Sequence, residues 1–246
     1  MLQKYIEKPL CYKMRKFDIR IWALVTNSFE IYIYKPGYLR TSSNDYSLHS
    51  KDNYVHLTNQ CLQNKSDQYQ MHEEGNTLNF EEFQAYLDET DPDREVNVKE
   101  HFLDRIEDIV IDTFLSARKQ LNPHGRQGTF ELFGFDFLID EDYRVWLIEV
   151  NTNPYLGMPN QYMKELMPKM ANDLLKLVLD PIYEPRKVPD PDRPNDFKLL
   201  YREEQACVGN GKVPANSRRS FSLDLCYPFP ELKPVIGLPY MHKLLW

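Results

Sequence analysis

Two neighbouring segments of strand-forming residues restrict most strongly how this chain can fold. Phe130–Asp140 and Tyr143–Tyr155 are rich in aromatic and β-branched residues, and an acidic turn at 140–142 separates them. This pattern predicts a β-hairpin. The hairpin carries three oxygen-bearing side chains: Asp136, Glu149 and Asn151. Carboxylate and amide oxygens bind Mg²⁺ together with nucleotide phosphates, so the hairpin predicts a site for magnesium and ATP.

The length of the turn decides whether these three side chains meet. Side chains alternate faces along a strand, which predicts one shared face for Val145, Leu147, Glu149 and Asn151. With a two- or four-residue turn, Asp136 pairs with Leu147 and lies diagonal to Glu149 on that face. With a three-residue turn, Asp136 points to the opposite face. A solvated strand end is the competing interpretation, and it is the commoner one for an isolated Glu-x-Asn tripeptide.

A second strand, Phe17–Thr26, is apolar on both faces in its second half and is therefore predicted to be buried. Alternation places four residues on one face: Lys16, Asp18, Arg20 and Trp22. Charges that lead into a buried strand are unfavourable unless they meet partners or a ligand. After a turn at 27–28, Glu30–Lys35 is predicted to pair antiparallel with this strand, and Arg40 follows.

The charge balance excludes one class of partner. With 30 Lys and Arg against 37 Asp and Glu, the net charge is −7. General nucleic-acid binding depends on excess positive charge, so no nucleic-acid partner is expected. A local basic surface remains possible in five residues: Lys13, Arg15, Lys16, Arg20 and Arg40. It suits a nucleotide or an acidic polypeptide equally well, and for Lys13 and Arg15 a solvated charged face explains the pattern as well.

The cysteines and the N-terminal residues indicate a compartment. Cys11, Cys61, Cys207 and Cys226 are widely spaced and form no C-x-x-C pair. This spacing favours free thiols over a zinc site or a disulfide framework. Charges interrupt every apolar run in Met1–Lys8, which predicts neither a signal peptide nor a membrane-spanning helix. We therefore expect a cytoplasmic protein without membrane insertion.

Three helices are predicted between and after the strands. Asn79–Leu87 begins with a capping residue and has acids in its first turn. Val98–Leu121 carries an apolar stripe at helical spacing, which we interpret as core. The stripe consists of Val98, Phe102, Ile106, Ile109, Val110, Phe114, Ala117 and Leu121. Gln161–Leu179 is the third helix, and Pro168 is predicted to kink or divide it.

The composition changes near residue 180, where prolines crowd among charged residues. Such a composition is typical of a linker. We therefore predict a domain over residues 1–180, followed by a proline-rich linker and an irregular tail over residues 181–246. Two tail segments, Phe197–Tyr201 and Ser220–Leu225, are candidates for short elements that dock on the domain.

Four sequence blocks, taken in order, resemble the tubulin tyrosine ligase-like family of the ATP-grasp superfold. The blocks are Gln3–Leu10, Arg15–Arg20, Tyr38–Ser43 with His56–Asn59, and Phe133–Asp136 with Ile148–Pro154. Several blocks in the family's order are far more specific than any one of them. The resemblance covers the 1–180 region. It implies an α+β fold, the C-terminal catalytic lobe of an ATP-grasp enzyme, with an antiparallel sheet flanked by helices and the N-terminal lobes missing.

The resemblance also implies a role for each block. Residues Gln3, Lys4, Tyr5 and Ile6 would form a hinge strand against the adenine. Residues His56, Leu57, Thr58 and Asn59 would lie against the ribose and phosphates. Residues Lys16, Asp18, Arg20 and Arg40 would surround the phosphates and the reacting carboxylate. Ile148 would complete the nucleotide-binding set, and Asp136, Glu149 and Asn151 would hold Mg²⁺.

The implied reaction is ATP-dependent ligation of an amino acid to glutamate side chains of an acidic protein tail, with tubulin as the acceptor. The acceptor carboxylate attacks the γ-phosphate, and the incoming amine displaces phosphate from the resulting acyl phosphate. Arg20 and Arg40 would position carboxylates as catalytic residues, because a guanidinium pairs with them bidentately. The implied location is the cytoplasm and cytoskeleton, with the cilium or basal body as a further option.

One departure from the family pattern bears on activity. The family's other phosphate-binding lysines and its flexible Gly-containing loop precede the Gln-Lys-Tyr-Ile segment, where this chain begins. The chain has only 9 glycines and neither a G-x-G-x-x-G motif nor a Walker-type loop to replace them. We therefore expect a truncated chain, and whether it is active alone stays open.

Three functions remain as alternatives. The first, which the sequence analysis favours, is a ligase that adds glutamate to tubulin. The second is a ligase that adds glycine or modifies another protein. The third is a catalytically silent fragment that binds a microtubule or a partner enzyme. A cationic donor pocket would favour glutamate, and an occluded neutral pocket would favour glycine.

Overall fold

An eight-stranded antiparallel sheet forms the centre of the structure. The computed structural model describes residues 3–183 and 194–203. In chain order the strands are β1 (Cys11–Tyr12), β2 (Arg15–Thr26), β3 (Ile31–Tyr34), β4 (Tyr38–Asp45), β5 (Thr77–Leu78), β6 (Phe130–Ile139), β7 (Val145–Asn151) and β8 (Phe197–Tyr201). The helices are α1 (Asn53–His56), α2 (Gln60–Gln63), α3 (Phe80–Thr90), α4 (Asp104–Leu121) and α5 (Gln161–Val178). Single 3₁₀ turns lie at Glu74–Asn76 and Pro92–Arg94, and a π-helical turn at Val98–Leu103 leads into α4.

The long strand β2 organises the sheet, because its two halves pair with different neighbours. On one edge its first half pairs with β4 and its second half with β3, while β1 and β6 pair along the other edge. The outer strands β5, β8 and β7 then flank β4, β3 and β6. The predicted α+β class, an antiparallel sheet flanked by helices, is confirmed.

One face of the sheet packs against α3, the π-helical turn and α4. The odd-numbered residues of β2 from Phe17 to Val25 point into this core, together with Phe133, Phe135 and Phe137 of β6. Asn79 caps α3 through a reciprocal capping box with Glu82, with bonds of 2.8 and 2.9 Å. Six members of the predicted apolar stripe are buried, and Ile109 and Leu121 pack at its margin.

The opposite face divides into two parts. Over the second half of β2, Trp22 and Leu24 pack against the methionine-rich side of α5. This helix continues without division through Pro168, contrary to one of the two predicted outcomes. The neighbouring side chains Met167 and Met170 are buried on the sheet, and this packing stabilises the helix despite the hydrogen bond that proline removes. Over the first half of β2, the same face carries charged residues.

The segment Phe197–Tyr201 joins the sheet beyond the predicted boundary at residue 180. It pairs antiparallel with β3, and Phe197 is buried against Tyr34 at a ring distance of 4.8 Å. The predicted tail element at Ser220–Leu225 lies outside the described residues, as do Cys207 and Cys226, and the domain boundary stays a prediction. Among residues 3–183 and 194–203, no helix has the length and apolar character needed to cross a membrane.

Candidate functional site

A row of charged side chains crosses four adjacent strands at the uncovered half of the sheet. In the register, Asp18 of β2 is opposite Arg40 of β4, and Arg20 of β2 is opposite Asp136 of β6. Asp136 is in turn opposite Glu149 of β7. Because directly opposed residues project from the same face of a sheet, these five side chains lie side by side.

Ion pairs connect the members of this row. Arg20 binds Asp136 through two bonds, Nε–Oδ1 at 2.5 Å and Nη2–Oδ2 at 3.0 Å. Arg40 binds Asp18 at 2.6 and 2.9 Å and reaches Asp136 Oδ2 with Nη2 at 2.9 Å. All four residues are at most 7% exposed. Buried charges are tolerated in this arrangement because each one meets an opposite charge in good geometry.

The charge states follow from these contacts. Burial disfavours the carboxylate of Asp136, but Arg40 and Arg20 outweigh that effect and lower its pKa. Burial likewise disfavours the charged form of Arg40, but Asp18 and Asp136 raise its pKa. Burial lowers the pKa of Lys16, and the nearby Asp18 partly offsets this. The row therefore holds fixed charges, and Lys16 is the cation whose charge is least stabilised.

A β-bulge brings Asp136 and Glu149 together in a way that the sequence analysis did not predict. The hairpin closes through a three-residue turn, in which Asp140 N–H donates to Arg144 O at 3.1 Å and Tyr143 has a positive φ of 63°. That turn alone would send Asp136 to the opposite face. The register shifts by one residue between Asp136 and Phe137, so that Asp136 lies opposite Glu149.

The bulge corrects two predictions. Asp136 does not pair with Leu147, whose partner is Phe137. Val145, Leu147, Glu149 and Asn151 do not share one face either, since Val145, Leu147 and Val150 pack against the core. A regular ladder cannot satisfy both the turn and the acidic pair, and the extra residue near Ile148 resolves the conflict.

The three predicted metal ligands meet at the end of β7. Asn151 Nδ2 lies 3.4 Å from Asp136 Oδ2 and 3.2 Å from Glu149 Oε1. Partial burial and the hydrogen bond with Asp136 raise the pKa of Glu149. Two close carboxylates repel each other, and a divalent cation bound by both would remove that repulsion.

This donor set fits magnesium only as a partial shell. In the part of the chain that the structure describes, no group of three or more His, Cys, Asp or Glu side chains is arranged to hold a metal. Asp136, Glu149 and Asn151 supply two carboxylates and one amide. Magnesium in nucleotide enzymes is commonly bound by one or two carboxylates, with substrate phosphates and water completing the octahedron. The residues present therefore fit magnesium that arrives with a nucleotide.

A cleft of 420 Å³ opens beside the charged row. This volume lies in the range of small-molecule sites. Its lining consists of Gln3, Lys4, Tyr5, Ile6, Lys16, Asp18, Arg40, His56, Leu57, Thr58, Asn59, Asp136, Leu138, Ile148 and Glu149. The lining combines charged groups of β2, β4, β6 and β7 with apolar side chains such as Ile6, Leu138 and Ile148.

The segment His56–Asn59 forms one wall of the cleft between two short helices. The Thr58 hydroxyl donates to Asp18 Oδ2, which joins this wall to the charged row. Asn59 caps α2 by accepting from Cys61 N–H at 2.8 Å. His56 Nε2 bonds the Ser50 carbonyl at 2.8 Å, and since a carbonyl only accepts, Nε2 carries the proton.

The N-terminal segment Gln3–Ile6 lines the cleft but is not a strand. These residues have no regular secondary structure, and ladder pairing begins only with the bridge between Pro9 and Asp140. The predicted hinge strand is therefore wrong in its conformation. Side-chain contacts fix the segment instead: Tyr5 OH is 2.7 Å from His56 Nδ1 and 3.3 Å from Lys16 Nζ.

Comparison with known proteins identifies the family. The sequence profile described as "Tubulin-tyrosine ligase family" matches residues 1–187 of the 246. The chain belongs to the tubulin-tyrosine ligase family. The resemblance expected from the four sequence blocks is thereby confirmed.

Several relatives in this family are known by name. Tubulin glycylase 3A of Drosophila melanogaster is 34% identical over 212 residues, covering 82% of this chain and 20% of the relative. Tubulin monoglycylase TTLL3 of Danio rerio is 32% identical over 212 residues, covering 82% and 26%. A Homo sapiens protein named inactive polyglycylase TTLL10 is 34% identical over 186 residues, covering 73% and 27%. The chain thus spans about a fifth to a quarter of the length of these relatives.

The structure places most of the family's expected site residues around one cleft. All the predicted nucleotide-binding residues line it, and so do Arg40, Asp136 and Glu149. Arg20 and Asn151 do not line the cleft and lie behind it, each hydrogen-bonded to Asp136. Leu138 lines the cleft but was missed by the sequence analysis, although it alternates with Asp136 along β6 and so could have been found.

The predicted basic surface is only partly present. Arg15 is 1% exposed and forms a bidentate ion pair with Glu73, at 2.8 and 2.5 Å. A solvated face is therefore wrong for this residue, and Arg15 does not line the cleft. Lys13 is exposed at the tip of the hairpin that joins β1 to β2. Of the five predicted cations, Lys16 and Arg40 therefore line the cleft, and Arg20 is hydrogen-bonded to Asp136 beside it.

Proposed function

We propose that this chain carries the nucleotide and magnesium site of an ATP-dependent ligase that joins an amino acid to glutamate side chains of a tubulin tail. The observation that carries the proposal is that the cleft and the three candidate magnesium ligands lie next to each other. A cleft lined by both apolar and charged side chains contains Asp136 and Glu149, and Asn151 is hydrogen-bonded to both of them. Family membership supports an ATP-dependent ligase that forms an amide bond.

Different residues of the cleft would contact different parts of the nucleotide. The apolar side chains of Ile6, Leu138 and Ile148 would contact the flat base, as apolar walls do in most small-molecule sites. Lys16 and Arg40 would face the phosphates, and the reacting carboxylate would lie against the same cations. Arg20 acts from behind the cleft, since its bidentate bond fixes the direction of the Asp136 carboxylate.

Asp136, Glu149 and Asn151 would hold magnesium, which when bound neutralises charge on the phosphate oxygens. The protein prepares for this with its own residues. Arg20 and Arg40 keep Asp136 ionised and oriented, and Asn151 lies between both carboxylates. Preorganised charges of this kind stabilise a transition state without reorganisation during the reaction.

We propose glycine, in place of the glutamate that the sequence analysis favoured, as the amino acid that is added. The named relatives are glycylases. The tubulin acceptor and a cytoskeletal location belong to this same proposal.

A nucleotide-binding chain without ligase activity is the second candidate. One relative, at 34% identity, is named an inactive polyglycylase. A chain of this kind would keep the cleft and the trio but transfer no amino acid. Binding and transfer must therefore be measured separately.

Binding is tested by calorimetric titration of the purified chain with ATP, with and without Mg²⁺. We expect binding that requires Mg²⁺ and that the Glu149→Gln variant weakens at least tenfold, since a charged ligand is lost. The matched control is Glu100→Gln, an exposed glutamate on the π-helical turn outside the cleft. Equal affinity in the wild type and Glu149→Gln would contradict the proposed site.

Transfer is tested by incubating the chain with microtubules, ATP, Mg²⁺ and radiolabelled glycine or glutamate. The proposal predicts incorporation of glycine in preference to glutamate, and its loss in Glu149→Gln. Incorporation of glutamate alone would restore the first expectation. Magnesium-dependent ATP binding without any transfer would support the silent alternative for this chain.

A further inference from the structure

Gln63, at the end of α2, has a buried side-chain amide that makes four hydrogen bonds. It is 0% exposed. Its Oε1 accepts from Ser43 N–H at 2.8 Å and from Ser43 Oγ at 2.6 Å. Its Nε2 donates to Tyr54 O at 3.1 Å and to Leu57 O at 2.5 Å. A primary amide has two donors and two acceptor positions, so every one is used.

The orientation of this amide is fixed by chemistry. The backbone N–H of Ser43 can only donate, so it must face the oxygen of the amide. The carbonyls of Tyr54 and Leu57 can only accept, so they must face the nitrogen. A flipped amide would leave all of these buried groups facing like groups, which is unfavourable.

The local sheet geometry explains why Ser43 needs this partner. Between the pairs Arg15–Asp45 and Phe17–Thr41, a single residue of β2, Lys16, faces three residues of β4. This irregularity leaves Ser43 without a ladder partner on β2. Gln63 therefore supplies from a side chain the hydrogen bond that the sheet does not.

The other two bonds act on the wall of the cleft. Helix α1 has only four residues, and of its carbonyls that of Asn53 accepts from Leu57 N–H at 2.9 Å. The Gln63 amide bonds the carbonyls of Tyr54 and Leu57 and so fixes the path of the chain on both sides of His56. Thr58, which follows Leu57, donates a hydrogen bond to Asp18, and His56 is hydrogen-bonded to Tyr5.

We infer that Gln63 is a positioning residue, which joins β4 to the segment His56–Thr58 and thereby sets the shape of the nucleotide cleft. It is not part of the cleft lining. The inference rests on the proposed function for its consequence, ATP affinity, but its structural part does not. Loss of the two donated bonds is expected to release Leu57 and Thr58 from the cleft wall.

The variant Gln63→Glu tests this with pH as a switch. An ionised carboxylate has no proton for the two carbonyls, whereas a protonated carboxyl donates one bond and still accepts from Ser43. Burial among carbonyls favours the protonated form, so the native contacts should be present at low pH and lost as the pH rises. Other charged or titratable groups on the adjoining elements are Arg15, Arg40, Asp45, Asp52, Tyr54, His56, Cys61, Glu73 and Glu74. None of them bonds the Gln63 amide among the described contacts.

The matched control is Gln60→Glu, on the same helix. Gln60 also donates two bonds, to Gly75 O at 3.1 Å and Thr77 Oγ1 at 3.0 Å, but these lie away from the cleft wall. A merely structural role for Gln63 predicts that both variants behave alike. A positioning role predicts that only Gln63→Glu changes the cleft.

Two readouts are taken at pH 5 and pH 8, and at each pH the variant is compared with the wild type. The affinities are compared as a ratio, and the NMR signals as a difference in ¹⁵N chemical shift. The first is Mg-ATP affinity, and the second is the ¹⁵N NMR signal of the His56 imidazole, assigned with a His56→Gln variant. For Gln63→Glu we expect near wild-type affinity at pH 5, an affinity weaker by about tenfold at pH 8, and a matching shift of the His56 signal. For Gln60→Glu the affinity ratio should stay near one, and the His56 signal should match that of the wild type at both pH values.

The outcomes separate this inference from the proposed function. If the wild type binds no ATP but the His56 signal of Gln63→Glu differs from that of the wild type at pH 8 and not at pH 5, the proposed function fails and the positioning role stands. If the wild type binds ATP while Gln63→Glu differs from it equally at both pH values, or behaves as Gln60→Glu does, the positioning role is overturned.

Discussion

Two halves of the same face of β2 have opposite characters. In the first half, Lys16 and Asp18 line a cleft and Arg20 lies beside it. The charges of Asp18 and Arg20 are neutralised by residues of neighbouring strands. In the second half, Trp22 and Leu24 pack against α5. Side chains alternate between the two faces of the sheet in the same way in both halves. The halves differ in what lies over them: α5 covers the second half, and the cleft opens over the first.

The contrast shows how one strand can serve both stability and binding. The apolar half is stabilised by removal of its side chains from water, with α5 as the cover. The charged half contributes little net stability, because desolvation of each ion offsets most of its attraction to its partner. Its arrangement is therefore better explained by a ligand than by folding, and changes in the two halves should have different consequences.

Replacement of Asp136 by alanine should have the largest effect. It leaves Arg20 without its partner and Arg40 with one partner fewer, both almost completely buried. We expect the free energy of unfolding to fall by about 3–5 kcal/mol, measured by urea denaturation. A fall of less than about 1 kcal/mol would mean that these arginines act as an exposed pair does, and the buried network would be wrong.

In the apolar half, Met167→Ala should be the next most severe change. Met167 lies on the side of α5 that faces the sheet, is 5% exposed, and belongs to the same buried cluster as Trp22. Removal of its side chain from a core should cost about 2–5 kcal/mol of unfolding free energy, through lost contacts and a cavity. The affinity of the folded fraction for Mg-ATP should stay at the wild-type value. A parallel loss of affinity would show that the two halves are coupled.

Gly134→Ala probes the boundary between the halves. Gly134 lies opposite Trp22 in the sheet and opposite Asn151 in the hairpin. An added Cβ would lie 2.9 Å from Pro154 Cβ and 3.5 Å from the Arg20 guanidinium carbon. The loop that follows Asn151 must then move, at a cost of about 1–3 kcal/mol. We expect weaker magnesium dependence of ATP binding in calorimetry, and an unchanged dependence would exclude this loop from the site.

The smallest effect concerns pH and Glu149. The pKa of Glu149 is raised in the folded protein, so folding favours its protonated form. The resulting contribution to the free energy of unfolding is fully present below the unfolded pKa of about 4.3, and it is lost as the pH rises through the folded pKa. Without magnesium, Glu149→Gln should therefore be more stable than the wild type at pH 7, by less than about 1 kcal/mol because the side chain is exposed to solvent. Thermal melts at pH 4 and pH 7 should show the difference only at pH 7.

Much of the fold could be predicted from periodicity and caps. The pattern of β2 predicted correctly both its burial and the shared face of Lys16, Asp18, Arg20 and Trp22. The apolar stripe from Val98 and the cap at Asn79 gave the helices that cover one face of the sheet. These predictions succeeded because each depends on residues that are near in sequence.

The parts of the site that depend on register could not be predicted in this way. The turn after Ile139 has three residues, and only the bulge beside Ile148 returns Asp136 to the side of Glu149. Two irregularities that compensate each other leave no periodic signal. Gln63 was missed for a related reason, because its partners are backbone groups of β4 and α1 that the sequence does not bring together. The irregular path of Gln3–Ile6 likewise depends on contacts with His56 and Lys16.

The most direct test of the account is a crystal structure of the chain with Mn²⁺ in place of Mg²⁺ and a non-hydrolysable ATP analogue. The anomalous scattering of manganese locates the ion independently of the surrounding atoms. The account predicts one anomalous peak within coordination distance of Asp136, Glu149 and Asn151, with the base beside Ile148 and Leu138. A cleft occupied by the analogue with the manganese bound elsewhere, or with Glu149 and Asn151 turned away from it, would contradict the account.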